Sequence, residues 1–222
     1  MYRAMLGRDT YRLDGPIEHA PSRAARLELR RGARIRGQAF RGLLASVNTV
    51  CGEAEAAAVM ARLHEDIRWT LQRDLSGTGW YPIQFYAAIH DAVRAVTGGG
   101  LTLCRRLGRE ARKHDARGVY HFVLRFGSPE AAARHADKIL ALYTDGPMVQ
   151  VGSVERGDGI ASVCFEYTNA SGYDENLWQD VLGSMEVIFE MTGASGVHIL
   201  CHEGGTKDWM RGEVRWSTRP II

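Results

Sequence analysis

Residues 138–167 read KILALYTDGPMVQVGSVERGDGIASVCFEY, and the spacing of the apolar residues changes within this stretch. Before Pro147, the residues Ile139, Leu140 and Tyr143 are spaced as on one face of a helix. After Pro147 the apolar residues alternate with polar ones, as in a half-buried strand. The stretch therefore marks a boundary between a helical half and a sheet half of the protein.

Helical spacing extends from this boundary back to about Gln38. Pro82 is expected at the first position of one helix, where its missing N–H is not needed. Gly108 is expected to let two helices approach closely. Ser128 is a capping residue and is followed by a proline and an acidic residue, an order typical of a helix start. The helix is expected to run to about Thr144. A short apolar helix is also predicted over about 119–123.

The sheet half predicts two strands, one amphipathic helix and two more strands, an order written β-β-α-β-β. Gly193 is expected to cap the end of the helix. The overall prediction is an α+β fold in which a helical N-terminal half packs on a C-terminal antiparallel sheet. The predicted bounds of the five elements are, in chain order, 149–154, 160–167, 177–189, 197–201 and 213–216.

Two segments are predicted along the chain. Residues 1–30 form a basic, partly ordered N-terminal arm, because they contain Gly15-Pro16 and Pro21 and show no sustained period. Residues 31–222 form a single α+β domain of the kind that binds ligands, with a helical half over 31–146 and a sheet half over 147–218. Residues 27–29 and 33–36 alternate apolar with polar residues and are expected to form one short strand or a β-ribbon.

The composition is that of a cytoplasmic globular protein, with 45% hydrophobic and 24% charged residues. No stretch is apolar for the ~18 residues that a membrane span needs. Residues 1–50 contain ten arginines against four acidic residues. Because no aromatic residues alternate with these arginines in the way that a base-stacking surface requires, nucleic acid is not expected as a partner.

No catalytic or metal-binding set is evident. The four cysteines are scattered and are expected to be free and mostly buried. His198 and His202 lie roughly 13 Å apart on a predicted strand, too far to share one metal ion. The sequence has no G-x-S-x-G elbow, and its glycine run at 98–100 lacks phosphate-binding spacing. The protein is therefore expected to bind no metal and, on balance, not to be an enzyme.

Aromatic residues are the remaining candidates for a functional site. They occur in both halves, so some of them should meet where the helices cover the sheet, and small-molecule sites favour such apolar junctions. Plain core packing remains the alternative. The predicted ligand-binding residues are Phe85, Tyr86, His90, Phe122, Tyr143 and Phe165.

The order of several short motifs over about residues 33–217 resembles a family of myxobacterial proteins of unknown function. That family is distantly similar in layout to haem-dependent nitric-oxide/oxygen-binding domains and to vinyl-reductase-type domains that bind hydrocarbons or aromatic effectors. The motifs are Ile35-Arg36-Gly37-Gln38-Ala39-Phe40, Tyr81-Pro82 with Tyr86, Arg105-Arg106-Leu107-Gly108, Thr192-Gly193-Ala194 and Val214-Arg215-Trp216.

The resemblance implies a ligand site between a helical lobe and a sheet. The chain departs from the haem-binding relatives because it has no match to the Y-x-S-x-R motif that holds the haem propionates in them. It also lacks the clustered Cys and Glu of a zinc site. No cofactor is therefore expected, and haem is kept only as an alternative, with His90 as its ligand.

The leading hypothesis is a non-enzymatic cytoplasmic sensor or adaptor that binds a small apolar molecule or a partner protein at the helix–sheet junction. A haem-based gas sensor that uses His90 is the first alternative. The others are an enzyme in which folding brings a histidine and a carboxylate together, and a structural or protein-interaction module. A homodimer through the sheet edge or the arm is left open.

Overall fold

The computed structural model describes residues 32–114 and 127–218. The predicted basic arm of residues 1–30 and the predicted short helix over 119–123 lie outside the described residues. Within the described ranges, no helix is both long enough and apolar enough to cross a membrane.

The N-terminal half is helical, as its apolar spacing predicts. Phe40, Leu43 and Val47 form the fully buried face of the first helix. Gly52, with a φ of 104°, separates the first two helices because its backbone conformation is one that a side chain disfavours. The helices are α1 (Gly37–Cys51), α2 (Glu53–Arg62), α3 (Glu65–Trp69), α4 (Ile83–Thr97), α5 (Leu101–His114), α6 (Pro129–Arg134) and α7 (Ala136–Ala141), with a π-helical turn over Thr70–Asp74 after α3.

The helical half also contains a small three-stranded sheet. The strands are β1 (Arg34–Arg36), β2 (Trp80–Pro82) and β3 (Thr144–Asp145), in the order β2-β1-β3. Pro82 therefore ends a strand, and α4 begins one residue later, which corrects the prediction that Pro82 is the first helical residue. The strand is held because the Tyr81 hydroxyl donates to the Asp74 carbonyl at 2.7 Å and accepts from the Ser76 N–H at 2.7 Å.

The C-terminal half follows the predicted β-β-α-β-β order, with the first strand split in two. Its elements are β4 (Met148–Val151), β5 (Glu155–Gly157), β6 (Ile160–Thr168), α8 (Glu175–Met191), β7 (Ser195–Gly204) and β8 (Met210–Ser217). All pairings are antiparallel, in the order β4-β6-β8-β7, and β5 also pairs with β6. The predicted α+β class is confirmed.

The core extends from the helical half into the space between α8 and one face of this sheet. Val163, Phe165 and Tyr167 alternate inward along β6 and are buried. The intervening Cys164 therefore faces outward and is exposed, and Cys201 on β7 is exposed too. The expectation of mostly buried thiols holds only for Cys104. Cys164 and Cys201 lie on strands, where every second residue points to the outer face.

Helices α5 and α8 cross at backbone contact through two glycines. A Cβ atom added to Gly108 would overlap the Asp180 carbonyl, and one added to Gly183 would overlap the Arg105 carbonyl. The Ser184 hydroxyl donates to the Gly108 carbonyl at 3.2 Å. This crossing joins the helical half to the sheet half and confirms the close approach predicted at Gly108.

Charged groups reinforce the same crossing from the solvent side. Arg105 pairs with Glu186, and Arg109 contacts Glu186 at 2.7 Å and Glu190 at 2.9 Å. Because the glutamates are one turn apart on α8 and the arginines one turn apart on α5, the pairs form a network rather than isolated bridges.

We expect Gly183→Ala to lower the free energy of unfolding by about 3 kcal/mol, because the added methyl group forces α5 and α8 apart in a packed interface. Urea unfolding followed by circular dichroism measures the change. Gly157→Ala is the matched control, since a Cβ at Gly157 meets no atom within 4 Å. Equal effects of the two substitutions would contradict the proposed crossing constraint.

Candidate functional site

A cavity lies at the junction of the two halves. The space in it that a water-sized sphere can occupy is about 100 Å³, and the larger volume of about 830 Å³ includes open solvent at its mouth. Most of its wall is aliphatic, with a few polar groups among aromatic rings. The lining residues are Ile35, Ala39, Ile83, Tyr86, Arg112, Ala132, Ala136, Ile139, Leu140, Tyr143, Thr144, Tyr167, Tyr173, Leu177, Asp180, Val181, Ser184, Met185, Ile188 and Phe189.

One wall of the cavity is the helix pair α6–α7, which is broken at His135. The break corrects the prediction of one continuous helix from Ser128 to Thr144. Ser128 caps α6, since its hydroxyl accepts from the Ala131 N–H at 3.2 Å. Ala132 and Ala136 face the cavity on either side of the break.

The His135 side chain explains the break. Its Nδ1 atom lies 2.8 Å from the Ala131 carbonyl oxygen, the same oxygen that accepts from the His135 backbone N–H at 3.2 Å. A carbonyl oxygen only accepts, so Nδ1 is the donor and the ring proton is on Nδ1. The side chain thus competes with the backbone for one acceptor, and the residue takes φ −112° and ψ 20°.

Tyrosine hydroxyls supply much of the polarity of the cavity. Burial is the main cause that raises the pKa values of Tyr86, Tyr167 and Tyr173 above the ordinary tyrosine value, so all three are neutral phenols. The Tyr86 hydroxyl donates to Asp180 Oδ2 at 3.4 Å, and the Tyr167 hydroxyl donates to the Met185 sulfur at 3.6 Å.

Arg112, near the end of α5, brings a positive charge to the cavity wall. Its guanidinium carbon lies 3.8 Å from the centre of the Tyr143 ring, a cation–π contact. The same charge lowers the pKa values of Tyr86 and Tyr167 against the larger effect of burial, so it acts on both phenols.

Asp180 contributes the opposing negative charge and is paired behind the cavity wall. The Nε2 atom of His90 lies 3.2 Å from Asp180 Oδ2, and the His90 side chain is fully buried. Burial alone lowers the pKa of His90, but hydrogen bonding to Asp180 and to Cys104 outweighs it and raises the pKa to about 10.

A thiol, an imidazole and a carboxylate therefore converge, but not as a reactive set. Cys104 has no exposed surface, and neither has His90, so no substrate reaches the sulfur. The Cys104 thiol donates to Asn176 Oδ1 at 3.6 Å, which is a packing contact within the core. Among the described residues, no group of three or more His, Cys, Asp and Glu could hold a metal ion.

The structure brings only some of the predicted ligand-binding residues together. Tyr86 and Tyr143 line the cavity. His90 touches Tyr86 with ring centres 5.5 Å apart but does not itself reach the cavity. Phe165 is buried in the sheet core, 5.7 Å from Tyr167 between ring centres, and Phe85 is half-buried against the core away from the cavity.

The sixth predicted residue, Phe122, lies outside the described residues. Sequence reasoning missed Arg112, Asp180 and His135. For His135 a signal exists, because it lies four residues before Ile139 on the predicted helix and so near the same face. Arg112 and Asp180 look like ordinary charged residues of polar helix faces.

Comparison with solved structures identifies proteins of similar fold. An Fe(II) unliganded H-NOX protein from K. algicida matches with a TM-score of 0.63 and 14% identity, over 84% of this chain and 99% of that chain. An oxygen complex of an H-NOX domain related to soluble guanylate cyclases matches with a TM-score of 0.58 and 16% identity, over 84% and 97%. A structure concerned with haem redox potential and porphyrin distortion matches with a TM-score of 0.59 and 15% identity, over 82% and 99%.

The chain therefore has the fold of H-NOX domains. The predicted distant resemblance to haem-nitric-oxide-binding domains is confirmed at the level of the fold. No protein-family model matches the sequence, and no curated protein matches it. The matched structures are described by their iron state, bound oxygen or haem. This finding overturns the expectation that no cofactor is involved, which rested on the missing propionate motif.

The buried His90–Asp180 pair predicts a pH dependence of stability. The pKa of His90 is raised in the folded state from 6.5 to about 10, so its stabilising effect is complete below pH 6.5 and is lost as the pH rises through about 10. We expect the difference in unfolding free energy between the wild type and His90→Gln to shrink over this window, by at most about 1.4 kcal/mol per pH unit.

Urea unfolding of both proteins at several pH values measures this difference. His64→Gln, which removes an exposed histidine, is the control for the loss of any histidine. A difference between the wild type and His90→Gln that stays constant or grows with pH would show that His90 is neutral in the folded protein.

Proposed function

We propose that the protein is a haem-based sensor of a diatomic gas, with His135 as the ligand of the haem iron. The observation that carries the proposal is the Nδ1 hydrogen bond from His135 to the Ala131 carbonyl, next to Ala132 and Ala136, which line the junction cavity. Metal-binding histidines usually donate the second ring N–H to a carbonyl or carboxylate, which orients the ring and makes the other nitrogen more basic. The likeness to H-NOX structures supports the same conclusion.

His135 fits this role better than the other histidines of the described residues. His90, the ligand favoured by the sequence, has its Nε2 directed at Asp180 and a pKa of about 10, so it is protonated at neutral pH and has no lone pair for iron. The remaining described histidines are exposed, and none of them is next in sequence to a lining residue as His135 is to Ala136; they are His64, His114, His198 and His202.

The chemistry of the cavity lining also suits a largely apolar group with acidic substituents. Its wall is aliphatic and aromatic, and Arg112 provides a cation at one place. The α6–α7 pair would hold the group from one side through His135. When bound, haem supplies an iron centre that takes up a small gas molecule.

The chain itself excludes water, orients the imidazole and responds to the bound state. The cavity is walled by elements of both halves, including α4, α6, α7, α8 and β6. A ligand that binds two arrangements of these elements unequally shifts the balance between them. The predicted role as a ligand-binding sensor is thus retained, with haem in place of an unspecified apolar molecule.

We expect purified or haem-reconstituted protein to show a Soret band that changes in His135→Gly and is restored by added imidazole, because free imidazole can enter the space left by the side chain. Absorbance spectroscopy of the ferrous and ferric forms measures the band, and carbon monoxide tests for gas binding. His114→Gln, which changes an exposed histidine, is the control.

His90→Gln separates the two candidate ligands. If it removes the Soret band while His135→Gly keeps the wild-type spectrum, the iron ligand is His90. Protein that takes up no haem under any condition would overturn the proposal altogether.

A further inference from the structure

Two oxygen atoms at the wall of the junction cavity form no hydrogen bond with any described residue. They are Oδ1 of Asp180 and the hydroxyl oxygen of Tyr173, and both residues line the cavity. The contacts of the Asp180 carboxylate with His90 and with the Tyr86 hydroxyl both involve Oδ2. Asp180 is only 6% exposed and Tyr173 only 8%. Because buried polar atoms normally have a partner, these two oxygens indicate a place for a polar group of a ligand.

Both oxygens reach the open space of the cavity from side chains that the protein holds in place. Neither oxygen is completely enclosed by protein atoms. The Tyr173 ring packs on Trp178 with ring centres 4.7 Å apart, and His90 holds Asp180 from behind the cavity wall at 3.2 Å. Groups that are already fixed lose little freedom when a ligand binds, which favours affinity.

Tyr173 and Asp180 are also near enough to act on the same ligand. Burial is the main cause that raises the pKa of Tyr173, and the nearby charge of Asp180 adds to it. A carboxylate only accepts hydrogen bonds, whereas a neutral phenol both donates and accepts them. A ligand hydroxyl matches this pair, because its hydrogen can be donated to Asp180 while its oxygen accepts from Tyr173.

The charges near the two oxygens favour a neutral ligand over a cation. His90 neutralises the Asp180 carboxylate, and the guanidinium of Arg112 belongs to the lining of the same cavity. The described groups around Asp180 therefore carry no excess of negative charge that would attract an ammonium group. An uncharged donor still gains from the carboxylate, because a hydrogen bond to an ionised acceptor is stronger than one to a neutral acceptor.

The open space limits the size of the ligand. A water-sized sphere can occupy about 100 Å³ of the cavity, and most of the lining is apolar. An apolar cavity of about 150 Å³ holds a benzene molecule. The space beside Asp180 and Tyr173 therefore suits a ring of about five carbon atoms with one polar substituent.

We propose that Asp180 and Tyr173 form a binding site within the cavity for a small, neutral and largely apolar molecule that carries an O–H or N–H donor. Oδ1 of Asp180 accepts from the ligand, and the Tyr173 hydroxyl donates to it. An alcohol is the simplest member of this class. Its binding requires neither haem nor His135, so the site stands independently of the proposed gas sensor.

Four small cyclic molecules of similar size separate these contributions. Cyclopentanol donates and accepts, cyclopentanone only accepts, methylenecyclopentane does neither, and cyclopentylamine is a cation at neutral pH. The proteins are the wild type, Asp180→Asn, Tyr173→Phe and the control Thr144→Val, which changes a lining residue whose hydroxyl donates to the Leu140 carbonyl at 3.1 Å. Chemical-shift titrations by NMR, before and after addition of haem, give the dissociation constants, and absorbance spectra of the same samples record haem uptake.

We expect the ratio of the affinities for cyclopentanol and cyclopentanone to fall about 5-fold from the wild type to Asp180→Asn, because an amide accepts more weakly than a carboxylate. Tyr173→Phe should weaken the binding of both molecules about 3-fold relative to methylenecyclopentane, because both accept from the lost hydroxyl. Thr144→Val should change neither ratio, and cyclopentylamine should bind the wild type more weakly than cyclopentanol. Each ratio is internal to one protein, so a general loss of folding does not mimic the result.

The outcomes distinguish this site from the proposed gas sensor. An alcohol-to-ketone ratio that is equal in the wild type and Asp180→Asn overturns the role of Asp180, and cyclopentylamine binding more tightly than cyclopentanol overturns the neutral ligand class. A donor preference that depends on Asp180 in a protein that takes up no haem supports the site and overturns the sensor. Haem uptake by a protein that binds none of the four molecules overturns the site and leaves the sensor standing. Binding of neither haem nor any of the four overturns both.

Discussion

The contact between α5 and α8 is the constraint on which the rest of the structure depends. Gly108 and Gly183 allow the two backbones to touch, and no other residue type leaves that space. Because α8 also covers the sheet, this one crossing fixes the helical half relative to the sheet half. It brings Arg112 of α5 and Asp180 of α8 to the same cavity, so the shape and the charge of the site follow from the same close approach.

Burial of the His90–Asp180 pair affects both the free energy of folding and the charge at the cavity wall. Removing two charges from water is unfavourable, but for His90 the contacts with Asp180 and Cys104 outweigh the effect of burial. The pairing leaves the Asp180 carboxylate at the cavity wall with its charge neutralised by His90.

Much of the fold could be predicted from the sequence, because apolar spacing reports directly which face of each element is buried. The helix–sheet boundary near Pro147 and the close approach at Gly108 are examples. The site was predicted less well. Tyr86 is a large aromatic residue and stands out, but Asp180 reads as one more polar residue on an amphipathic helix. Its partner His90 lies 90 residues away in sequence, and no local pattern reveals such a pairing.

The helix pair that carries His135 is attached differently from the rest of the protein. One side of it packs on the end of α8 through a small apolar cluster made of Ala132, Ile139, Val187 and Ile188 with Met191 beside it, whereas Ala133 and Leu140 contact the main core. This wall of the cavity thus depends in part on a small cluster, whereas α5 and α8 are joined by the glycine crossing. Local opening is cheapest where buried apolar area is smallest. Residues 129–141 are therefore expected to open locally before the glycine crossing does.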